Sequence, residues 1–280
     1  MMLTITLGPL TMALNHLLLL MALGVACLVG WAVARRGGES PESALFNVFL
    51  IGVLCARLGF VLQYWAMYRD DPLQIIDIRD GGFQLWGGLF GIVAATLWQG
   101  LRRPGLRRPL SWALFSGALF WGLASLGSHL YSKGTELPDL ALRNASGEAV
   151  ALHSYRGKPL VINLWATWCP PCRREMPVLQ QAQSDHPEVT FLFVNQGETV
   201  ESVSTFLATT GLSLQHVLFD GAGQLAQQVG SMALPTTLFY DAHGRLAGSH
   251  LGELSRASLL NGLTTPERPA KPDASPARGQ

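Results

Sequence analysis

The first 131 residues consist mainly of long apolar stretches separated by short polar segments. Each of four stretches is close to the roughly 20 helical residues that cross a bilayer. They cover approximately residues 13–34, 44–65, 83–101 and 110–131. The first stretch has no basic segment before it, and Arg35 and Arg36 follow it, which is not the order of a cleaved signal peptide. The pattern therefore predicts an all-α transmembrane domain of four helices over residues 1–131.

The second half shows a different pattern, in which short apolar runs alternate with amphipathic stretches. The predicted strands are 161–165, 189–195, 215–219, 238–240 and 246–250, after an earlier hairpin that turns at 144–147. The predicted helices run from Cys172 to about Ser184 and over 200–209, 222–229 and 253–262. This order predicts an α/β domain over residues 132–262, with a mixed sheet and helices on both faces. Residues 263–280 are rich in Pro, Ala and charge and are predicted to be disordered.

Composition agrees with this division of the 280-residue chain. Only 14% of the residues are charged, against roughly 25% in an ordinary soluble domain, and 49% are hydrophobic. The net charge is +1, and the basic residues form no stripe. Nucleic acid is therefore not an expected partner, whereas a lipid bilayer is.

Arginines in the loops predict the orientation of the helices, because short cytoplasmic loops are enriched in Lys and Arg. The first loop carries Arg35 and Arg36, and the third carries four arginines within residues 102–108. The second loop has Arg69 and Arg79, among several aspartates. Loops one and three are therefore placed in the cytoplasm, and everything after residue 131 outside. In a bacterium, this predicts an inner-membrane protein whose second half lies in the periplasm, where disulfide chemistry is expected.

Cys169-Pro170-Pro171-Cys172 lies where a predicted strand passes into a helix, which is the context of a redox motif. Unpaired N–H groups at a helix start favour a thiolate, so we expect a lowered pKa for the nucleophile Cys169 and a resolving role for Cys172. The alternatives are a structural pair or half of a zinc site. No second cysteine pair has ligand spacing, and His153 and His186 are not placed like zinc ligands, so no metal site is predicted. The dithiol itself is the expected redox centre, with no further cofactor.

Four other residues are candidates for substrate contact. An X-Pro bond is cis at modest cost, and a cis Pro235 facing the dithiol would present the Leu234 backbone to an extended substrate. Leu234, Pro235 and Thr236 are therefore predicted substrate-binding residues. Trp168 is either part of the core or an exposed docking residue beside Cys169.

A family resemblance rests on three motifs of the second half. These are residues 165–177 (WATWCPPCRREMP), 194–198 (VNQGE) and 234–237 (LPTT). They resemble the TlpA/ResA/CcmG branch of thioredoxin-like reductases. The resemblance implies a thioredoxin-like domain that reduces disulfides in periplasmic clients, for example apocytochrome c or copper-site assembly factors, with a membrane thiol reductase as electron donor.

The same resemblance implies a role for Glu175, since this branch keeps a carboxylate near the dithiol as a proton acceptor for Cys172. The alternative is a solvated charge in the first helical turn. Asn163 stands where ordinary thioredoxins have a buried Asp, so proton handling is expected to differ from theirs.

Two motifs of the first half, residues 57–62 (RLGFVL) and 80–91 (DGGFQLWGGLFG), resemble the front part of prolipoprotein diacylglyceryl transferase. That family has a functional His where this chain has Trp86, and its later motif is absent, which argues against transfer activity. Lipid or lipoprotein handling by the membrane half remains the alternative function. An intramembrane Arg57 requires a partner or a polar cavity. Glycines 87, 88 and 91 are expected to allow close helix packing.

Cys27 and Cys55 lie at similar depth in the first two predicted helices. They are interpreted either as an electron relay across the membrane or as small buried apolar residues. A third hypothesis for the whole chain is a non-catalytic docking or chaperone module that uses the surface around Pro235.

Overall fold

The structure is a computed structural model that describes residues 4–264, apart from 8–9, 36–38, 70–71, 133–135 and 232. Arg36 and residues 133–135, which follow the predicted fourth helix, lie outside the described residues. So does the predicted disordered tail, except for its first two residues, which belong to the last helix.

Long helices make up most of the first half, after a short antiparallel hairpin that the sequence did not predict. The hairpin strands are β1 (Thr4–Leu7) and β2 (Leu10–Ala13). The helices are α1 (Leu14–Ala34), α2 (Glu42–Gln63), the short α3 (Trp65–Tyr68), α4 (Leu85–Arg102) and α5 (Arg107–Ser132).

Three helical segments are long and apolar enough to cross a membrane: Leu14–Ala34, Glu42–Gln63 and Pro104–Ser128. Helix α4 occupies the place of the third predicted span but does not meet the same criterion, because its polar Gln99 and Arg102 lower its mean hydropathy. The prediction of a helical, apolar first half is therefore confirmed. Four membrane-spanning helices were predicted, and three helices among the described residues meet the criterion.

The four long helices pack as two pairs, α1 with α5 and α2 with α4. Glycines of α4 allow the backbones of α2 and α4 to approach closely. A Cβ placed on Gly91 would lie 2.7 Å from Cβ of Cys55, and one on Gly87 would lie 2.6 Å from the Cys55 carbonyl oxygen. These distances are shorter than real Cβ contacts, so the absence of a side chain lets the two backbones approach, as expected from the sequence.

The second half is a mixed seven-stranded sheet with helices on both faces, which confirms the predicted thioredoxin-like architecture. Its strands are β3 (Ala141–Asn144), β4 (Ala149–Ala151), β5 (Leu160–Trp165), β6 (Thr190–Gln196), β7 (Val217–Asp220), β8 (Thr236–Tyr240) and β9 (Leu246–Leu251). Its helices are α6 (Pro170–Asp185), α7 (Val200–Thr210), α8 (Gln224–Gln228) and α9 (Arg256–Thr264). The strand order is β4-β3-β7-β6-β5-β8-β9, and β5, β6 and β7 are parallel to one another.

Strand β5 lies inside the sheet and is buried on both faces. Leu160, Ile162 and Leu164 point into one core, whereas Val161 and Trp165 point into the other, which also contains residues of α6, α7 and α9. Alternate side chains of a strand point to opposite faces, so an apolar run in β5 supplies both cores. The carboxyl end of β5 leads directly to the start of α6, where the two cysteines lie.

Two predicted boundaries shift because of side-chain capping that periodicity does not reveal. Helix α8 starts at Gln224 instead of residue 222, since the Asp220 carboxylate accepts the backbone N–H groups of Gln224 and Leu225. Helix α9 starts after Ser255, whose Oγ accepts the backbone N–H of Ser258 at 3.1 Å.

Candidate active site

The dithiol lies at the N-terminus of α6. Cys169 is the N-cap residue, and Pro170 and Pro171 occupy the first helical turn, where a missing N–H costs nothing. Cys169 and Cys172 form a disulfide with Cα atoms 5.3 Å apart. The Sγ of Cys169 also accepts the backbone N–H of Cys172 at 3.3 Å. When the disulfide is reduced, the same N–H group and the positive end of the helix dipole would stabilise a thiolate at this sulfur.

The segment between β5 and Cys169 is held by Glu198, which follows strand β6. One carboxylate oxygen accepts the backbone N–H of Thr167 at 2.7 Å and the amide of Asn195 at 2.7 Å. The other accepts the Thr167 hydroxyl. Three donors thus fix the backbone two residues before Cys169. Glu198 was not among the predicted site residues, although it follows strand β6 at the carboxyl edge of the sheet, beside the end of β5.

Glu175 is buried beneath the dithiol, one helical turn after Cys172. It is 1% exposed, which excludes the alternative of a solvated charge. Its carboxyl accepts the side-chain amide of Asn163 at 2.8 Å and the backbone N–H of Leu254 at 2.8 Å. Burial raises the pKa of this carboxyl to about 8, although both hydrogen bonds act in the opposite direction.

Asn163 lies on β5 and connects Glu175 to strand β8. Its amide nitrogen also donates to the Thr237 hydroxyl at 3.0 Å, and its own oxygen is buried and has no hydrogen-bond partner among the described residues. An Asp at this place would add a second buried carboxylate next to Glu175. The amide instead supplies a donor, so Glu175 is the carboxyl that can exchange a proton in this core.

The Leu234–Pro235 peptide bond is cis, and Leu234 packs against the core cluster that contains both cysteines. The side chains of the predicted substrate-contact residues differ in access. Thr236 is 1% exposed, and its hydroxyl is shared between Ser231 and the carbonyl of Ala233. Trp168 is 67% exposed, so it is not part of the core.

Two arginines of α6 and the two remaining cysteines do not join the site. Arg174 forms an ion pair with Glu253 at 2.6 Å, and the guanidinium of Arg173 lies over the ring of Phe206. Cys27 and Cys55 are free cysteines in the helices of the first half; Cys27 packs in an apolar cluster with Ala26 and Leu45.

Comparisons with known proteins match each half separately. Residues 133–249 match the AhpC/TSA family, and residues 2–120 match the prolipoprotein diacylglyceryl transferase family. The chain is 30% identical over 131 residues to the thioredoxin-like protein YneN of Bacillus subtilis, covering 45% of this chain and 76% of that protein. It is 31% identical over 153 residues to the thiol-disulfide oxidoreductase ResA of Geobacillus thermodenitrificans, covering 50% and 87%.

A solved structure of MTB dsbF is 30% identical, covers 46% of this chain and 97% of its own, and has a TM-score of 0.43. The family matches and the two relatives confirm both resemblances found in the sequence.

The raised pKa of Glu175 predicts a pH-dependent stability of the oxidised protein. The carboxyl stays neutral in the folded state up to about pH 8, but ionises near its ordinary value of 4.5 when the chain unfolds. The neutral Glu175 carboxyl therefore contributes fully to the free energy of unfolding below pH 4.5. As the pH rises from 4.5 towards 8, the free energy of unfolding falls by up to about 1.4 kcal/mol per pH unit. We expect E175Q to remove this loss, with E201Q on the exposed face of α7 as the control. Urea unfolding at pH 5, 6.5 and 8 measures the free energy of unfolding of each protein. The same pH dependence of this free energy in wild type and E175Q would contradict the prediction.

Proposed function

The chain belongs to the ResA-like family of thiol-disulfide oxidoreductases, and from this premise we propose that its thioredoxin-like domain reduces disulfides in client proteins through Cys169 and Cys172. The observation that carries the proposal is the position of Cys169 at the N-cap of α6, with its sulfur accepting a backbone N–H. A thiolate at this position is stabilised before any client arrives. The dithiol is the whole redox centre, and no additional cofactor takes part.

The exchange proceeds in two displacements. The Cys169 thiolate attacks one sulfur of a client disulfide; the client S–S bond breaks, and its other sulfur leaves as a thiolate that takes a proton from water. In molecules whose Glu175 is ionised, Cys172 transfers its proton to that carboxylate and attacks the Cys169 sulfur. The bond between Cys169 and the client breaks, the second client sulfur leaves as a thiolate that takes a proton from water, and the Cys169–Cys172 disulfide forms, so two electrons pass to the client. A carboxyl with a pKa of about 8 in the oxidised protein can retain this proton.

Client contact is assigned to the surface around the dithiol. The Leu234 backbone, next to the cis peptide bond, pairs with an extended client segment, and the exposed Trp168 packs against it. Pro235 fixes this backbone. Thr236, whose side chain is buried, contributes through the hydroxyl contact that holds the Ala233 carbonyl in place.

We further propose that the first half anchors the chain in a bacterial inner membrane with the thioredoxin-like domain in the periplasm. Three candidate spans and the match to a membrane transferase family support anchoring, and α4 is proposed to complete a four-helix bundle with α2. The arginine-rich first and third loops support the orientation. Clients then include periplasmic proteins such as apocytochrome c or copper-site assembly factors, and a membrane thiol reductase returns the electrons.

A second candidate function is lipoprotein diacylglyceryl transfer, or lipid binding, by the membrane half, and the family match over residues 2–120 favours it. Trp86, which replaces the His of that family, is 74% exposed on α4. Modification of lipoproteins in a transferase-deficient strain that expresses the full chain with C169A would support this candidate against the first.

Cysteine variants test the disulfide chemistry. In detergent-solubilised full-length protein, C169A and C172A are each expected to lower the rate of insulin reduction with dithiothreitol by at least about 100-fold, because neither can complete the two displacements. The matched control is the double variant C27A/C55A, which removes the other two cysteines and is expected to stay within about twofold of wild type. Normal turnover by C169A would overturn the assignment.

Single-cysteine labelling tests the orientation. In a background without the four native cysteines, S146C lies in the exposed turn between β3 and β4, and G105C lies in the third loop. A membrane-impermeant maleimide is expected to label S146C in intact spheroplasts and G105C only after the membrane is opened. The reverse pattern would place the dithiol in the cytoplasm and contradict the proposal.

A further inference from the structure

Arg57, near the carboxyl end of α2, organises the loop that follows α3. It is 7% exposed, and its five N–H donors all have acceptors. Four of the acceptors are backbone carbonyl oxygens of the loop, at 2.7 to 3.0 Å, which belong to Gln74, Ile75, Asp77 and Gly82. The fifth acceptor is the Asp80 carboxylate, at 2.9 Å. We name residues 72–84 the docking loop. A single buried guanidinium thus determines its path.

Asp80 is the second fixed point of the docking loop. Besides the ion pair with Arg57, its carboxylate accepts the Tyr68 hydroxyl at 2.9 Å and the backbone N–H of Gly82 at 3.1 Å. The residue is 7% exposed. A buried carboxylate with one cationic and two neutral donors is fully compensated, so the loop is a rigid surface.

The thioredoxin-like domain rests on this surface through residues 250–259, which we name the docked segment. The Ser258 hydroxyl donates to the Asp80 carbonyl oxygen at 2.6 Å. Ala257, 2% exposed, packs in one apolar cluster with Phe60, Val61 and Tyr68 of the first half.

Close approach at the other end of the docked segment is made possible by a glycine. Gly81 has φ +61°, and a Cβ on it would lie 3.0 Å from Cε1 of His250. A glycine relieves both the backbone strain and the crowding at this contact.

The docked segment also reaches the active site. Leu254, four residues before Ser258, donates its backbone N–H to Glu175. Helix α6, which carries Cys172, borders the same junction: a cavity of about 610 Å³ lies between the docking loop and a stripe of α6 that includes Arg174, Val178 and Ala182. The membrane half therefore contacts the segment that holds the proposed proton acceptor.

We propose that the transferase-like membrane half serves as a docking base, whose loop 72–84 clamps residues 250–259 of the thioredoxin-like domain and so fixes the direction of the dithiol relative to the membrane helices. The Arg57–Asp80 pair is then a structural element of the clamp. This gives the membrane half a function beyond simple anchoring, because a flexible tether alone would leave the domain free to rotate.

Hydrogen exchange of the full chain in detergent micelles tests the clamp through A257E. Burial of a carboxylate in the apolar cluster around Ala257 costs desolvation free energy, so we expect the backbone amides of residues 74–82 and 250–259 to exchange at least about tenfold faster. The matched control is A208E on the exposed side of α7, which is expected to leave both segments unchanged. Protection of β5 and β6 in all proteins shows that the thioredoxin-like core stays folded.

If A257E unfolds the core of the thioredoxin-like domain, a milder variant tests the same contact by hydrogen exchange. S258A removes only the hydroxyl that donates to Asp80, and it is expected to speed exchange in the same two segments about two- to tenfold. The proposal is overturned if both variants leave exchange of 74–82 unchanged while β5 and β6 remain protected, or if A208E has the same effect as A257E. The measurement does not use the dithiol, so its outcome is independent of the disulfide chemistry.

Discussion

The direct passage from a buried strand into a helix is the constraint on which the site depends. Strand β5 is held on both sides by neighbouring strands and is buried on both faces, so its carboxyl end is fixed, and α6 starts only five residues later. This geometry places Cys169 at the start of the helix, where the backbone N–H of Cys172 points at its sulfur at 3.3 Å. Glu198 then fixes the intervening backbone by accepting the backbone N–H of Thr167.

A second requirement is a proton acceptor in a core that excludes water. Glu175 meets it because its carboxyl is buried but retains two donors, one from Asn163 and one from Leu254. Burial favours the neutral carboxyl, whereas the two donors favour the anion, and a group under both influences can change its charge near neutral pH. Thiolate formation at the helix start and proton transfer within the core are thus assigned to different residues, since Cys169, 3% exposed, is the N-cap residue of α6 and Glu175 lies one turn after Cys172.

Sequence patterns predicted the elements well wherever local periodicity determines structure. The apolar run of β5, the helix after Cys172 and the long helices of the first half all lie close to their expected positions. Contacts between residues distant in sequence were not predictable. The pairing of Arg57 with Asp80, the hold of Glu198 on Thr167 and the contact of Leu254 with Glu175 each join segments that only the tertiary fold brings together. Helix α4 does not meet the criterion for a membrane span, and the polar Gln99 and Arg102 near its carboxyl end contribute to this.

In the proposed arrangement the helical first half holds the thioredoxin-like domain, and Cys169 is the sulfur proposed to attack the client. Alkylation of the reduced C27A/C55A protein with iodoacetamide at pH 6.5, followed by mass spectrometry, tests that central claim most directly. The account predicts that Cys169 is modified at least about tenfold faster than Cys172, because only its sulfur lies at the helix start as a thiolate. Equal, slow modification of both cysteines, as for ordinary buried thiols, would contradict it.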